Sequence, residues 1–305
     1  MAAGADTRDA PSVVVPTWQR AEWLGVCLAA LRRQTLPPRE VVVVGRREDE
    51  AARRAHLDPA RPCVLRGAPC HVAPVKAGLA AAEGEIVAFL DDDAEPDGGW
   101  LEAIAAPFAD PLVACVGGRV LQEGAAKVKE DSGRLRWYGE HVANVGAIEA
   151  QGMRDVDGVM EGNWAWRTSV LRQLPFDEAL DFAEAPMYGL DLCLEAKRRG
   201  HRVVYSPAAR VVHHAAPRDP GLAREDRPRR VYAYSRNYTY VMLKHLRGPR
   251  RAAFAAWWLL AGDRGSPGLA RTVVALLRRR GGVAAEARAA ASGKLAGARA
   301  RVRSR

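Results

Sequence analysis

The sequence predicts an α/β domain with a mostly parallel sheet flanked by helices, followed by a basic helical tail. Two observations support this prediction. Short apolar runs typical of buried strands alternate with helical periodicity through the first half of the chain. After Gly248 the composition shifts to alanine, arginine and glycine. We therefore expect one domain over residues 1–228 and a helical, basic region over residues 229–305.

The first half of the chain contains candidate strands rich in β-branched residues, which suits strands buried on both faces. Helical spacing of apolar residues follows them, and Pro37 and Pro38 end the first helix. The predicted strands cover residues 12–15, 41–44 and 86–90, and the predicted helices cover 23–31, 51–57 and 75–82. In sheets of this kind, ligands bind beyond the carboxyl ends of the strands.

The second half is more mixed. A loop that enters a helix is predicted for residues 162–174, and a short strand that begins at Arg202 is predicted to stop before Pro207. The remaining predictions are a strand over 112–120 and helices over 191–199 and 229–245.

The composition limits the class of protein. Of 305 residues, 48% are hydrophobic and 27% are charged, as in ordinary globular proteins. Five cysteines occur without C-x-x-C spacing, which argues against a zinc site and favours a reducing cytoplasm. The N-terminal residues lack a signal-peptide pattern, and no apolar stretch reaches the roughly 18–20 residues that a membrane span needs. We expect a cytoplasmic protein, peripheral at the inner face of the cell membrane.

The positive charge lies at the C-terminal end. Residues 247–305 contain 14 basic and 2 acidic residues, whereas the whole chain has a net charge of +10. Trp257 and Trp258 lie close to Arg250 and Arg251, a composition typical of a helix in the interface of an anionic membrane. The alternative is that this apolar segment packs on the rest of the protein. Nucleic-acid binding ranks lower, because no known nucleic-acid-binding motif is present.

An acidic cluster follows the strand predicted at residues 86–90. Asp91, Asp92 and Asp93 repel one another, and a cluster of this kind persists mainly where a cation neutralises it. Carboxylate oxygens suit Mg²⁺ or Mn²⁺, and such an ion keeps positions open for the phosphates of a nucleoside diphosphate leaving group. The alternative is a solvated acidic turn.

Four segments occur in a fixed order: VVVPTWQRAEWLGVCLAALRRQTLPPREVVVV, EGEIVAFLDDDAEPDGGWLEAI, EGNWAWR and DLCLEAKRRGHRVVYSPAARVVHH. Together they resemble the family 2 glycosyltransferases of GT-A fold, over roughly residues 11–240. The resemblance implies transfer of a sugar, with inversion, from a nucleotide-sugar donor to an acceptor. It also implies a requirement for Mn²⁺ or Mg²⁺. Membrane contact through the basic tail favours a glycan or lipid-linked acceptor of the cell envelope.

The resemblance assigns roles on the donor side. Pro16 and Thr17 match the strand end that lines the nucleotide pocket, and Asp91 and Asp92 match donor-binding positions in the DxD region. A second set of residues matches the metal and acceptor positions. Asp93 and His213 match metal-side positions, with a structural histidine as the alternative for His213, and Asn163 and Trp164 match the segment that borders the acceptor.

Three positions depart from the family pattern. Gly45, followed by Arg46, stands where an acidic residue usually reads the base, so Arg46 is expected to contact phosphate instead. The usual Ala-Arg-Asn-x-Gly segment is replaced by residues 74–78, in which Lys76 supplies the positive charge.

The third departure affects the general base. Gly189 stands at the acidic position, which leaves Asp191 as the first candidate base and Glu184 as the second. The alternative role for Asp191 is to cap the following helix. The departures also leave open a catalytically degenerate protein of GT-A fold that binds or acts as a scaffold.

Overall fold

The computed structural model describes residues 10–46, 49, 60–65, 72–122, 131–142, 145–149, 152–182, 186–216 and 226–304. These residues form two compact units. The first consists of the described parts of Met1–Arg134, Val142–Pro175 and Leu192–Pro217, and the second of those of Leu135–His141, Phe176–Asp191 and Arg218–Arg305. The helix predicted at residues 51–57 lies outside the described residues.

The first unit is built on one mixed sheet. The strands are β1 (Ser12–Pro16), β2 (Glu40–Arg46), β3 (Ala60–Leu65), β4 (Ile86–Leu90), β5 (Ala94–Pro96), β6 (Val113–Leu121), β7 (Arg154–Asp155), β8 (Asn163–Arg167) and β9 (Arg202–His213). Their order across the sheet is β3-β2-β1-β4-β8-β6-β9-β5, and β7 pairs with β9. The predicted strands at residues 12–15, 41–44, 86–90 and 112–120 are confirmed.

Helices flank the sheet and form the second unit. The first unit contains the helices α1 (Ala21–Arg32), α2 (Val72–Ala81), α3 (Trp100–Ala105) and α4 (Thr168–Leu171). Helix α5 (Tyr188–Arg198) is shared, because its first four residues belong to the second unit and the rest to the first. The second unit adds α6 (Arg227–His245), α7 (Gly248–Leu260), α8 (Leu269–Leu277) and α9 (Val283–Arg303). The predicted helical tail is therefore confirmed.

The sheet is parallel in part of its width, including the pairing of β6 with β9, so the prediction of a mostly parallel sheet is confirmed only in part. β1 pairs in parallel with β2 and β4, and β2 with β3, but β8 lies antiparallel between β4 and β6. The prediction of a loop that enters a helix over residues 162–174 is wrong for its first part, because residues 163–167 form β8. Its position is fixed by two neighbouring strands, a non-local pairing that local sequence does not encode.

Strand β9 continues well beyond Pro207, where it was predicted to end. The pairing with β6 shifts register at this point: Gly118 pairs with Ser206, but the next residue, Arg119, pairs with Arg210. Residues 207–209 of β9 therefore form a bulge. A proline is tolerated at such a bulge because no ladder hydrogen bond requires its missing N–H. The longer strand brings His213 opposite Ala94 of β5.

The core of the first unit lies under the strands that carry the acidic cluster. Val13, Val15, Ala88 and Leu90 are buried in one apolar cluster, together with Trp100 of α3. Alternate residues of β1 and β4 thus fix the carboxyl ends of both strands at one edge of the sheet.

The second unit is held by close helix packing. Gly293 and Gly297 of α9 lie against α6, and an added Cβ would come within 2.5 Å of the Tyr232 carbonyl oxygen and within 2.2 Å of that of Arg236. Glycine at these positions therefore lets the two helices approach each other. None of the helices in the described part of the chain combines the length and hydropathy that a bilayer-spanning helix needs.

Gly118 allows a buried polar network to form. A Cβ at this position would lie 2.3 Å from both the carbonyl oxygen of Ala209 and Nδ2 of Asn163. We expect Gly118→Ala to lower the free energy of unfolding by about 1–3 kcal/mol through overpacking, measured by urea denaturation. Gly25→Ala is the control, because no atom lies within 4 Å of its added Cβ on the exposed face of α1. Equal stability of the two variants would contradict the packing argument.

Candidate functional site

The acidic cluster lies in the turn between β4 and β5. β1 runs parallel to β4, so Thr17 follows its strand at the same edge of the sheet. The Thr17 hydroxyl donates a hydrogen bond to Oδ2 of Asp92 at 2.8 Å, and its backbone N–H donates to the Val44 carbonyl at 2.8 Å. Pro16 is the last residue of β1 and pairs with Val44. The strand ends of β1, β2 and β4 therefore meet around one carboxylate.

Arg20 enters the acidic cluster from the start of α1. Its Nη1 lies 2.9 Å from Oδ1 of Asp92 and 3.1 Å from Oδ2 of Asp93, and all three side chains are largely buried. Its Nη2 also donates to the Ala216 carbonyl oxygen at 3.4 Å. One guanidinium thus neutralises two carboxylates that would otherwise repel each other.

His213 approaches the cluster from the end of β9. Its Nε2 lies 3.3 Å from Oδ1 of Asp93, and its Nδ1 lies 3.2 Å from Oε1 of Gln122. The backbone N–H of Ala216 donates to Oδ2 of Asp93 at 3.0 Å. Both carboxylate oxygens of Asp93 are therefore oriented by neighbours from the same segment of chain.

The two buried aspartates differ electrostatically. Burial raises the pKa of Asp92 to about 6, although Arg20 and the Thr17 hydroxyl oppose the increase. Burial also acts to raise the pKa of Asp93, but the hydrogen bond and charge of His213, together with Arg20, outweigh it and leave that pKa lowered. Asp93 is therefore more completely ionised than Asp92 at neutral pH.

Asp91, Asp93 and His213 form a group that suits a cation. Their ligand atoms all lie within 4.8 Å of one another. The absence of a side chain at Gly162 leaves space for the Asp91 carboxylate, since an added Cβ would lie 2.3 Å from Oδ2 of Asp91. Two carboxylates and one imidazole are a donor set that suits a divalent ion such as Mn²⁺, so the residues present fit the metal that the sequence predicted.

The two basic residues predicted on the donor side differ in position. The guanidinium carbon of Arg46 lies 4.0 Å from the ring centroid of Trp18, next to Thr17, so this residue borders the cluster. Lys76 lies on the exposed face of α2 and has no hydrogen-bond or ion-pair partner among the described residues. No described contact connects Lys76 to the acidic cluster.

Asn163 and Trp164, predicted on the acceptor side, are both fully buried. The Asn163 amide accepts a hydrogen bond from Nε1 of Trp100 at 2.8 Å and donates to the carbonyls of Arg119 and Ala209 at 2.9 and 3.0 Å. In this structure these side chains hold β8 in the sheet, and neither presents a surface that an acceptor contacts.

Asp191 belongs to the second unit and is only 1% exposed. Nζ of Lys244 lies 2.8 Å from one carboxylate oxygen, and Nε2 of His245 lies 2.7 Å from the other. Burial acts to lower the pKa of Lys244, but Asp191 and Asp177 outweigh it and leave that pKa raised, so the ammonium stays charged. The role of Asp191 as a base stays a prediction, and Glu184 lies outside the described residues.

The residue pair Arg236 and Asn237 holds the segment that flanks residue 184. Nδ2 of Asn237 donates to the carbonyls of Leu180 and Pro186 at 3.0 and 3.1 Å, and Nη1 of Arg236 donates to that of Ala179 at 2.7 Å. The structure shows that they fix the backbone on both sides of residues 183–185.

Sequence reasoning missed two charged residues of the first unit. Arg20 lies four residues after Pro16, and the direction of its side chain depends on the turn that follows β1. Asp49 is buried and accepts a hydrogen bond from the backbone N–H of Gln19 at 2.8 Å. Asp49 lies four positions beyond Gly45, so a search for an acidic residue directly after the strand passes over it.

Comparisons with known proteins identify the family of this chain. The family described as "Glycosyltransferase like family 2" matches residues 10–233. A pre-mycofactocin glycosyltransferase of Mycobacterium tuberculosis is 34% identical over 140 residues, which are 45% of this chain and 28% of that relative. The chain therefore spans little more than a quarter of the length of this curated relative.

Solved structures share the fold. Staphylococcus aureus TarS 1–349 in complex with UDP-GlcNAc has a TM-score of 0.58 at 18% identity, over 82% of this chain and 72% of that chain. GalNAc-T7 with UDP, GalNAc and Mn²⁺ has a TM-score of 0.54 at 16% identity, over 78% of this chain and 48% of that chain. Similarity at this level of identity establishes the fold. With the family match over most of its length, the chain belongs to the family 2-like glycosyltransferases and has their GT-A fold.

Proposed function

We propose that this protein transfers a sugar from a nucleoside diphosphate sugar to the hydroxyl group of an acceptor, with inversion at the anomeric carbon. The observation that carries the proposal is the convergence of Asp91, Asp93 and His213 at the carboxyl edge of the sheet. Ligands of open α/β sheets bind at this edge. Family membership and the UDP-sugar complex of a structural neighbour support the same donor class.

The donor residues divide between the nucleoside and the diphosphate. Thr17 and Asp92, which are hydrogen-bonded to each other, border the nucleoside side of the site. Arg46, stacked on Trp18, supplies a guanidinium that pairs with phosphate oxygens. Lys76 adds a second positive charge from the solvent-exposed face of α2. Asn163 and Trp164 support the acceptor side indirectly, by fixing β8.

Asp91, Asp93 and His213 would hold the divalent ion. Bound there, Mn²⁺ or Mg²⁺ would supply positive charge that stabilises the departing nucleoside diphosphate. Arg20 acts to lower the pKa of both Asp92 and Asp93 and orients their carboxylates at the edge of this group. The chain itself thus organises the carboxylates, and the ion contributes the remaining charge.

Glu184 is the general base that we favour. A base must be free to take the proton of the acceptor hydroxyl, whereas both oxygens of Asp191 are engaged by Lys244 and His245. Asp191 then serves as an anchor within the second unit. Asn237 supports the assignment of Glu184, since it fixes Leu180 and Pro186 on either side of that segment.

The acceptor is a glycan or a lipid-linked sugar of the cell envelope, and the enzyme works at the inner face of the cell membrane. The concentration of arginine in residues 229–305 supports this location, because anionic lipid attracts basic surfaces. Residues 1–228 then carry the transfer chemistry, and residues 229–305 form the membrane-associating region.

The role of the metal is tested with Asp93→Asn. We expect transfer or hydrolysis of nucleotide sugars to fall about 100-fold or more, because the developing negative charge loses its stabilisation. Calorimetry should show weaker Mn²⁺ binding. Asp97→Asn is the matched control, since Asp97 lies four residues beyond Asp93 in the sequence, is half-exposed and pairs with Arg210 at 3.3 Å. Activity that survives both a chelator and Asp93→Asn would rule out the metal site.

The identity of the base is tested with Glu184→Gln and Asp191→Asn. We expect Glu184→Gln to lower kcat by about 10²–10⁴-fold with donor binding unchanged. Asp191→Asn should instead lower the free energy of unfolding, because Lys244 and His245 lose their buried partner. Glu178→Gln, an exposed glutamate nearby, is the control. A reversal of the two results would assign the base to Asp191, and donor binding without turnover in the wild type would indicate a degenerate binding protein.

Arg20→Met tests the ion cluster. Removing this guanidinium leaves two buried carboxylates with less compensation, so we expect a loss of about 3–5 kcal/mol in the free energy of unfolding. Added Mn²⁺ should recover part of that loss. Arg33→Met is the control, because the Arg33 side chain is 62% exposed and its ion pair with Glu95, at 3.4 Å, is solvent-screened. A loss no larger than that of the control would show that Arg20 does not stabilise the cluster.

A further inference from the structure

Helix α8 presents an apolar face that the second unit does not cover. None of its residues is buried, and Leu269, Leu276 and Leu277 are 63%, 54% and 78% exposed. Together with Val273 they recur at helical spacing and so form one stripe. A soluble helix usually turns such a stripe toward the core of its own domain, and here it faces outward.

The apolar surface continues onto the end of α7. Leu259 and Leu260 are more than half exposed, and the backbone N–H of Gly268 donates to the Ala261 carbonyl at 3.1 Å, which joins the two helix ends. The aromatic side chains of α7 point the other way. Phe254 and Trp258 are buried and stack on Tyr238, so the segment predicted to contact a membrane divides into a buried aromatic side and an exposed leucine side.

A basic cavity lies beside α8 within the same unit. Its volume is about 710 Å³, and five of the described residues that line it are arginines, against two carboxylates. The arginines are Arg227, Arg264, Arg271, Arg278 and Arg280.

The two carboxylates of the cavity are already engaged. Glu286 pairs with Arg227 at 2.6 Å and with Arg280, and Asp263 accepts hydrogen bonds from Tyr234 and two backbone N–H groups. Arg264 and Arg278 are exposed and have no acidic partner within the described part of the chain. The cavity therefore has uncompensated positive charge, and it lies on the side of α8 opposite the exposed apolar stripe.

We propose that this protein docks on an anionic membrane through α8 and the end of α7, with the leucines inserted and lipid phosphate paired with the arginines on the opposite side of α8. The proposal rests on the membrane location proposed above and specifies its contact. Charge complementarity selects the partner, because guanidinium groups pair with phosphate while leucine side chains enter the boundary between headgroups and acyl chains. The residues of α8 that line the cavity include Arg271, Val274, Ala275 and Arg278, which lie on the opposite side of the helix from the stripe. Leucine side chains inserted into this boundary therefore leave the arginines at the level of the lipid headgroups.

The docking surface is tested with the full-length chain and sedimentation of vesicles. The protein should bind vesicles that contain phosphatidylglycerol and bind phosphatidylcholine vesicles much more weakly. Arg264→Ala with Arg278→Ala should weaken partitioning by at least tenfold, since one basic residue contributes about fivefold at an anionic surface. Leu276→Gln with Leu277→Gln should weaken it similarly, with the circular dichroism spectrum unchanged.

Matched controls lie on α9. Leu295→Gln replaces a leucine that is 51% exposed, and Arg299→Ala replaces an exposed arginine about 20 Å along the helix from Glu286. Both should bind vesicles like the wild type. Equal loss in the control and test variants would show general charge or hydrophobicity effects and overturn the proposal.

Other occupants give other results. Binding of inorganic phosphate or of a DNA duplex that depends on Arg264 and Arg278, without vesicle binding, would overturn the lipid assignment. Dimers that dissociate when Leu276 and Leu277 are changed, again without vesicle binding, would assign the stripe to a second copy.

Hydrolysis of nucleotide sugars is measured in the same preparations. Loss of vesicle binding with hydrolysis intact refutes the docking surface alone, and vesicle binding without hydrolysis refutes the transferase assignment alone.

Discussion

The first unit depends on neutralising the carboxylates at the end of β4. Asp92 and Asp93 are buried side by side, and this arrangement is tolerable because Arg20 contacts both and His213 contacts the second. These partners come from opposite ends of the unit in sequence. The parallel pairing of β1 with β4 places the turn that carries Arg20, and the pairing of β9 with β5 places His213. Sheet register therefore determines whether the charges compensate, and the candidate donor site follows from that compensation.

The elements predicted correctly are those whose own residues contain the signal. β1, β2 and β4 are runs of buried apolar residues. α6 has a clear helical period, and it begins after Asp226, whose carboxylate accepts a hydrogen bond from the N–H of Arg229. β8 and the second half of β9 escaped prediction because they depend on partners elsewhere in the chain. Without the bulge opposite Gly118, Pro207 would be a reasonable place for β9 to end.

The candidate site was predicted in the same uneven way. Asp93 and His213 were found through the family resemblance, and the structure brings their ligand atoms together with those of Asp91. Asn163 was assigned to the acceptor side, whereas its side-chain amide accepts a hydrogen bond from Trp100. Sequence position alone does not show the face toward which a side chain points. Arg20 was missed for a related reason. An arginine in a turn is ordinarily solvated, and only the fold shows that its guanidinium lies between two buried carboxylates.

The two units offer phosphate two different kinds of site. In the first, carboxylates dominate, so a phosphate group is attracted only after a divalent ion has reversed the local charge. In the second, the proposed lipid phosphate meets guanidinium groups directly, and Glu286 neutralises only part of their positive charge. A site that needs an ion suits a diphosphate that must depart, because the ion stabilises charge that appears during the reaction. A fixed set of arginines suits a phosphate that stays intact, since it provides attraction without promoting bond cleavage. In the roles proposed above, the distribution of Asp, His and Arg in this chain thus separates transfer chemistry from anchoring.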